Sequence, residues 1–180
     1  MARALAILGV NITVLTTDDD GPGRRLADVK LGVGMDQGGW KLIRFPKQTE
    51  FYKVSLPMHR WLRAHVHEFD LVHIHAVFSF VSLAAGRTAV AAGVPFIVRP
   101  LGVLNRWGME NRRRRVKALS FRWLELPLLR RAAAVHYTSH LERLEGARFG
   151  LSNLQRVIPI GIEPAPFASL PPAALFVSKH

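Results

Sequence analysis

Short apolar runs alternate with helical stretches from about residue 53 to residue 159, and this alternation constrains the fold more than any other feature. Leu71-Val72-His73-Ile74-His75, Pro95-Phe96-Ile97-Val98-Arg99, Ala134-Val135-His136-Tyr137-Thr138 and Gln155-Arg156-Val157-Ile158-Pro159 each read as a strand. Strands this continuous in apolar residues are covered on both faces, as in parallel sheets. Between them, Met58, Leu62, Val66 and Phe69 recur at helical spacing behind Pro57. Phe78 to Ala92 is an alanine-rich helix with Gly93 as its cap, and Leu141 to Arg148 is a further helix. A long basic helix is predicted from Glu110 to Arg131, with Val116, Leu119, Trp123 and Leu126 on one face and Pro127 kinking or splitting it. The fold class is therefore α/β, a doubly wound parallel sheet.

The residues upstream fit the same architecture. Ala2 to Leu8 reads as a helix stopped by Gly9, and Val10 to Thr16 as a strand dense in β-branched residues. A loop over 17–23 and a glycine-rich segment follow, and Lys41 to Phe45 is a short strand ended by Pro46. Prolines dominate from Glu163 onward. The organisation read from this is one domain over 1–163 and a linker over 164–180.

Composition narrows the chemistry. The chain has no cysteine, which excludes disulfides, thiolate metal sites and a cysteine nucleophile. A formal charge of +12 favours anionic partners without choosing among them. No apolar stretch approaches the ~20 residues that span a bilayer.

In a doubly wound sheet, ligands collect at the carboxyl ends of the strands. His75 ends one strand and is followed by Ser79; it reads as a hydrogen-bonding or proton-handling group for a hydroxylated ligand. His73, two residues earlier on the same face, reads as a structural histidine. A metal site is not expected, because no carboxylate or third histidine stands at ligand spacing. Arg99 ends the next strand, where it can bind a phosphate or carboxylate or lie at the surface beside a turn. Gly102 lets backbone approach a ligand. Thr138 and Ser139 end the following strand, and Ser139 with Glu142 forms a capping box at a helix start that can also receive an anion. Arg112, Arg113, Arg114, Arg115 and Lys117, near Trp107, concentrate positive charge. That run reads as a solvated helix face, as a contact with anionic lipid, or, third, as a nucleic-acid contact; no nucleic-acid-binding motif accompanies it.

Four segments resemble the N-terminal domain of the family 4 glycosyltransferases, enzymes of the two-domain GT-B fold. They are residues 2–17, Phe69-Asp70-Leu71-Val72-His73-Ile74-His75, the run from Gly93-Val94-Pro95 to Arg99-Pro100-Leu101-Gly102, and Val157-Ile158-Pro159-Ile160-Gly161-Ile162-Glu163. Their order and spacing match over roughly residues 2 to 167. The resemblance implies a retaining transfer from a nucleotide-sugar donor, without cofactor or metal, to a glycan or lipid-linked acceptor held by this domain. The expected setting is cytoplasmic, and the lipid-contact reading of the basic run would place the chain peripherally on the inner membrane face. It matches His75 to the family histidine before the acceptor cleft, Gly102 to the glycine after the next strand, and Gly161 to the glycine of the domain crossover. Leu101 and Ile160 depart from the family pattern, which usually has His or Arg and Asn there. The family's first strand and its donor lobe have no counterpart in this sequence, which predicts an incomplete chain, inactive and poorly stable alone. The alternative is a non-catalytic basic module that binds a membrane or partner.

Overall fold

The computed structural model describes residues 1–110 and 114–164. The helix α1 (Ala2–Ile7) leads through Gly9, at φ +82°, into β1 (Thr13–Thr17). Pairing of β1 starts three residues later than the branched run suggests, because its partner β3 (Lys41–Phe45) starts opposite Thr13. The glycine-rich segment contains a strand that sequence reading missed, β2 (Gly34–Asp36), antiparallel to β3. Gly38 and Gly39, at φ +74° and +95°, turn the chain between them while the Asp36 carboxylate accepts both their N–H groups.

Next comes α2 (Leu56–His65), capped by the buried Ser55 hydroxyl and continued by a 3-10 turn at Val66–Glu68. The second half is built from β4 (Val72–His75), α3 (Phe80–Ala92), β5 (Phe96–Arg99), β6 (Ala134–Tyr137), α7 (His140–Ala147) and β7 (Leu154–Val157). Between β5 and β6 run the short helices α4 (Arg106–Glu110), α5 (Arg114–Ser120) and α6 (Leu126–Arg131). The strands form two sheets, in the orders β1-β3-β2 and β4-β5-β6-β7, and the second is parallel throughout. Among the described residues no strand joins them, so β1 and β4 each end a sheet with one unpaired edge.

One core nevertheless spans both sheets. Ile43 and Phe45 of β3, Met58 and Leu62 of α2, Ile74, Phe96, Val98, Val135 and Tyr137 of the second sheet, and Leu128 and Leu129 of α6 belong to a single buried cluster. In the second sheet, side chains alternate between two faces. Ile74, Phe96, Val98, Val135 and Tyr137 share the face that packs on the helices. Small residues bring α3 close: an added Cβ on Gly86 would sit 2.6 Å from Leu128 Cδ1.

The long basic helix is split, as Pro127 predicts, and the correction concerns the face it was expected to bury. Phe121–Glu125 forms a π-helical turn just before Pro127. Pro127 has no N–H for the carbonyl four residues back, so the ladder is interrupted there. The wider turn rotates the burial pattern. Phe121, Glu125, Leu128 and Leu129 go inward with Leu126, while Val116, Leu119 and Trp123 are exposed. The expected shared face therefore does not pack as a unit. The basic residues Arg112 and Arg113, and all of the linker after Pro164, lie outside the described residues.

Candidate functional site

Three adjacent parallel strands, β4, β5 and β6, end at His75, Arg99 and Tyr137, the last followed by Thr138. Parallel register brings their carboxyl ends to one rim, and His75 stands opposite Arg99. The loops leaving this rim hold unusual backbone. Ala76, Phe78 and Leu101 have φ of +69°, +62° and +59°, and Gly102 follows at +77°. A residue with a Cβ in this region costs about 1–3 kcal/mol, so the surroundings must hold it there.

The holding contacts are specific. Ala76 N–H donates to Arg99 O at 2.9 Å, and Phe80 N–H to Tyr52 O at 2.7 Å. Ser79 caps α3, its hydroxyl accepting the Ser82 N–H, and Ser82 Oγ donates to His75 O. The Glu125 carboxylate, buried at the end of the π-helical turn, accepts the Tyr52 hydroxyl proton and the Phe78 N–H. Burial pushes its pKa up, and Oε2 is left without a partner. Sequence reading missed Glu125 and Tyr52, because only the fold places them 73 residues apart in contact. It also missed Lys47, 2% exposed, whose ammonium ion-pairs with Asp19 at 2.6 Å and with Glu50 at 2.5 Å. That cluster ties the loops after β1 and β3 together.

On the next side of the rim, Ser139 caps α7 by accepting the Glu142 N–H at 3.1 Å. The other half of the expected capping box is different. The Glu142 side chain does not turn back to Ser139; Oε2 accepts the Thr138 N–H and hydroxyl, and Oε1 accepts Gly102 N–H at 2.6 Å. Three strong donors converge from two loops, and they outcompete the single local one. Glu142 is thus buried beneath the rim and ties Gly102 to Thr138. Gly161 is exposed, beyond β7, in open space.

One face of the second sheet carries the polar groups. His73 and His75 of β4, Arg99 of β5 and His136 of β6 share it by register. The His73 ring centroid is 4.5 Å from that of His75 and 5.5 Å from that of His136. Burial holds His73 down at a pKa of about 4, helped by His75, His136 and Arg99. Partial desolvation of its ring at the rim, then Arg99 and His136, also lowers His75. Both rings are therefore neutral at pH 7, and His75, which is exposed, can accept a hydrogen bond from a ligand hydroxyl. His136 Nε2 lies 2.8 Å from Ile158 O, which accepts its proton. Among the described residues no three His, Cys, Asp or Glu side chains are arranged to hold a metal ion.

The residues for which a lipid contact was one expected reading lie elsewhere. Trp107 in α4 is 74% exposed, Arg114 and Arg115 in α5 are exposed, and Lys117 donates to Gly108 O at 2.7 Å. Among the described residues no helix is long and apolar enough to cross a membrane.

Comparison with known proteins agrees with this architecture. No curated protein and no solved structure gives a significant match. The family model described as glycosyl transferase 4-like domain matches residues 1–161, nearly the whole described chain. A parallel α/β sheet with its polar groups at the strand ends, matched over that length, makes this chain a member of the glycosyl transferase 4-like domain family.

Proposed function

We propose that the chain is the acceptor-binding lobe of a retaining glycosyltransferase, which moves a sugar from a nucleotide-sugar donor to a glycan or lipid-linked acceptor. The observation that carries the reading is His75: an exposed, neutral imidazole at the end of a parallel strand, beside the ends that carry Arg99 and Thr138. In this reading an acceptor hydroxyl lies against His75 and the loops after Arg99 and Thr138, with Ser79, Gly102, Ser139 and Glu142 shaping the rim. The hydroxyl oxygen attacks the anomeric carbon from the side on which the donor phosphate departs. The leaving phosphate takes the hydroxyl proton, so the step requires neither a protein nucleophile nor a metal. The donor sits on a second lobe that faces this rim across the Gly161 crossover, and residues 1–180 in isolation are inactive.

The test is His75→Ala in the enzyme that joins this lobe to a donor-binding lobe. Turnover is expected to fall at least about tenfold, with the donor KM little changed. Unchanged turnover removes His75 from the site and the reading with it.

A membrane-associated role is favoured by one specific observation. Val116, Leu119 and Trp123 are 51%, 63% and 66% exposed and stand beside Arg114, Arg115 and Arg122. Apolar side chains flanked by cations suit an anionic bilayer surface, the inner face of a cytoplasmic membrane in this reading. Co-sedimentation with anionic vesicles that Trp123→Ala and Arg114→Ala reduce is the expected result. Equal recovery with neutral vesicles would remove this contact.

A further inference from the structure

We infer that Arg99, His73, His75 and His136 together form a binding site for a phosphate group carried by the acceptor. The inference rests on the acceptor-rim reading for the word acceptor alone, because phosphate binding can be measured without sugar transfer.

The starting point is an imbalance of charge and hydrogen bonds. Arg99 is 8% exposed, yet its Nε has no hydrogen-bond partner and no carboxylate ion-pairs with it among the described residues. His73 Nε2 is also buried without a partner. Buried charges in proteins are paired, and buried polar atoms are bonded. Two unmet groups on neighbouring strands of one sheet face mark a place for a ligand that supplies acceptors.

Register brings the groups together. His75 is paired with Arg99, and continuing the β5–β6 register by one residue sets Arg99 opposite His136. Arg99 therefore stands between histidine positions of the two flanking strands, with His73 on the same face, its ring 4.5 Å from that of His75 and 5.5 Å from that of His136. A metal ion does not fit this set: the imidazoles are not arranged to ligate, and a guanidinium repels a cation. A carboxylate is satisfied by the guanidinium fork alone. A tetrahedral phosphate has oxygens left over for further donors, which His73 and His75 of the neighbouring strand can supply, while His136, its Nε2 proton given to Ile158 O, lines the other side. His75 is exposed at the rim, so the site opens where an acceptor hydroxyl would be presented.

The test follows the histidine side chains of the full chain by nitrogen-15 NMR during titration with inorganic phosphate at constant ionic strength. Saturable shifts are expected for His73, His75 and His136 and not for His59, His65, His67 and His140. Arg99→Gln should weaken binding at least about tenfold, since charge-assisted bonds dominate such sites, and Arg99→Lys should restore part of it. An unchanged His140 signal and far-UV circular dichroism certify the fold. If Arg99→Gln unfolds, His75→Asn, at an exposed position, replaces it and should also weaken binding.

Two further probes identify the source: a hexose phosphate, and vesicles containing phosphatidic acid. Saturable shifts with either support the site and name its ligand. No saturable shift with phosphate or with either probe, or equal shifts of all the histidines, overturns the inference. Phosphate binding through Arg99 in a chain whose His75→Ala variant keeps full turnover would sink the transfer reading and leave this one standing.

Discussion

Glu142 Oε1 accepts the Gly102 N–H at 2.6 Å across 40 residues of sequence, joining the loop after β5 to the start of α7. The same carboxylate holds Thr138 twice. Charge-assisted hydrogen bonds of this kind contribute about 1.5–3 kcal/mol, and buried donors left unmet cost about as much again. Glu142→Ala should lower stability to urea by about 3 kcal/mol, and Glu142→Gln by less. A loss below about 1 kcal/mol, within the range of an ordinary single bond, would assign the rim's shape to other contacts.

Gly146 faces Tyr137, and an added Cβ would lie 2.5 Å from the phenol oxygen. Tyr137 is fully buried, so relieving the contact means moving its ring within the packed core. Gly146→Ala should therefore destabilise by about 1–3 kcal/mol through overpacking, although alanine favours a helix by about 1 kcal/mol. Gly161→Ala is the control: nothing lies within 4 Å of its Cβ position, and its effect should stay within about 0.5 kcal/mol. Equal urea midpoints for the two variants would contradict this packing.

His73 has an ordinary pKa of 6.5 lowered to about 4 in the folded chain. The unfolded state therefore takes up a proton first as pH falls. The stability that neutral His73 contributes is fully present above pH 6.5 and is lost between 6.5 and about 4. The urea midpoint should fall from pH 7 to pH 5, and His73→Asn should reduce that difference. An unchanged pH dependence in the variant would show that His73 ionises freely in the fold.

Glu125 behaves in the opposite sense. Its folded pKa is raised by burial, so its contribution is fully present below the ordinary value of 4.5 and is lost as pH rises through the folded pKa. A neutral amide of the same shape avoids that loss. Glu125→Gln should leave stability at pH 7 unchanged or higher, whereas Tyr52→Phe should lower it by about 1 kcal/mol. A large loss in Glu125→Gln would mean that the charge itself holds the π-helical turn.

Much of the fold was legible because it rests on local rules. The continuous apolar runs at Val72–His75, Phe96–Arg99 and Ala134–Tyr137 are strands within a residue of their expected ends, and Gly93 caps α3 in the left-handed conformation. The strand at Gly34–Asp36 was not legible, because it has no branched or aromatic run and exists through its pairing with β3. The apolar stripe Val116, Leu119, Trp123 and Leu126 misled because periodicity describes a regular α-helix, and the π-helical turn at Phe121–Glu125 shifts the register of this one.

By itself the sequence determined most of the segments that become strands and helices, and therefore that His75, Arg99 and Thr138 stand at or just after strand ends, because hydrophobic alternation and capping act over a few residues. The tertiary structure alone decided what those side chains meet. The sheet register set Arg99 on one face with three histidines, with no carboxylate ion-paired to it among the described residues, and packing brought Glu142 beneath Gly102 and Glu125 against Tyr52. Those partners are distant in sequence, and only closing the chain around a shared core fixes which of them lie within a hydrogen bond's reach.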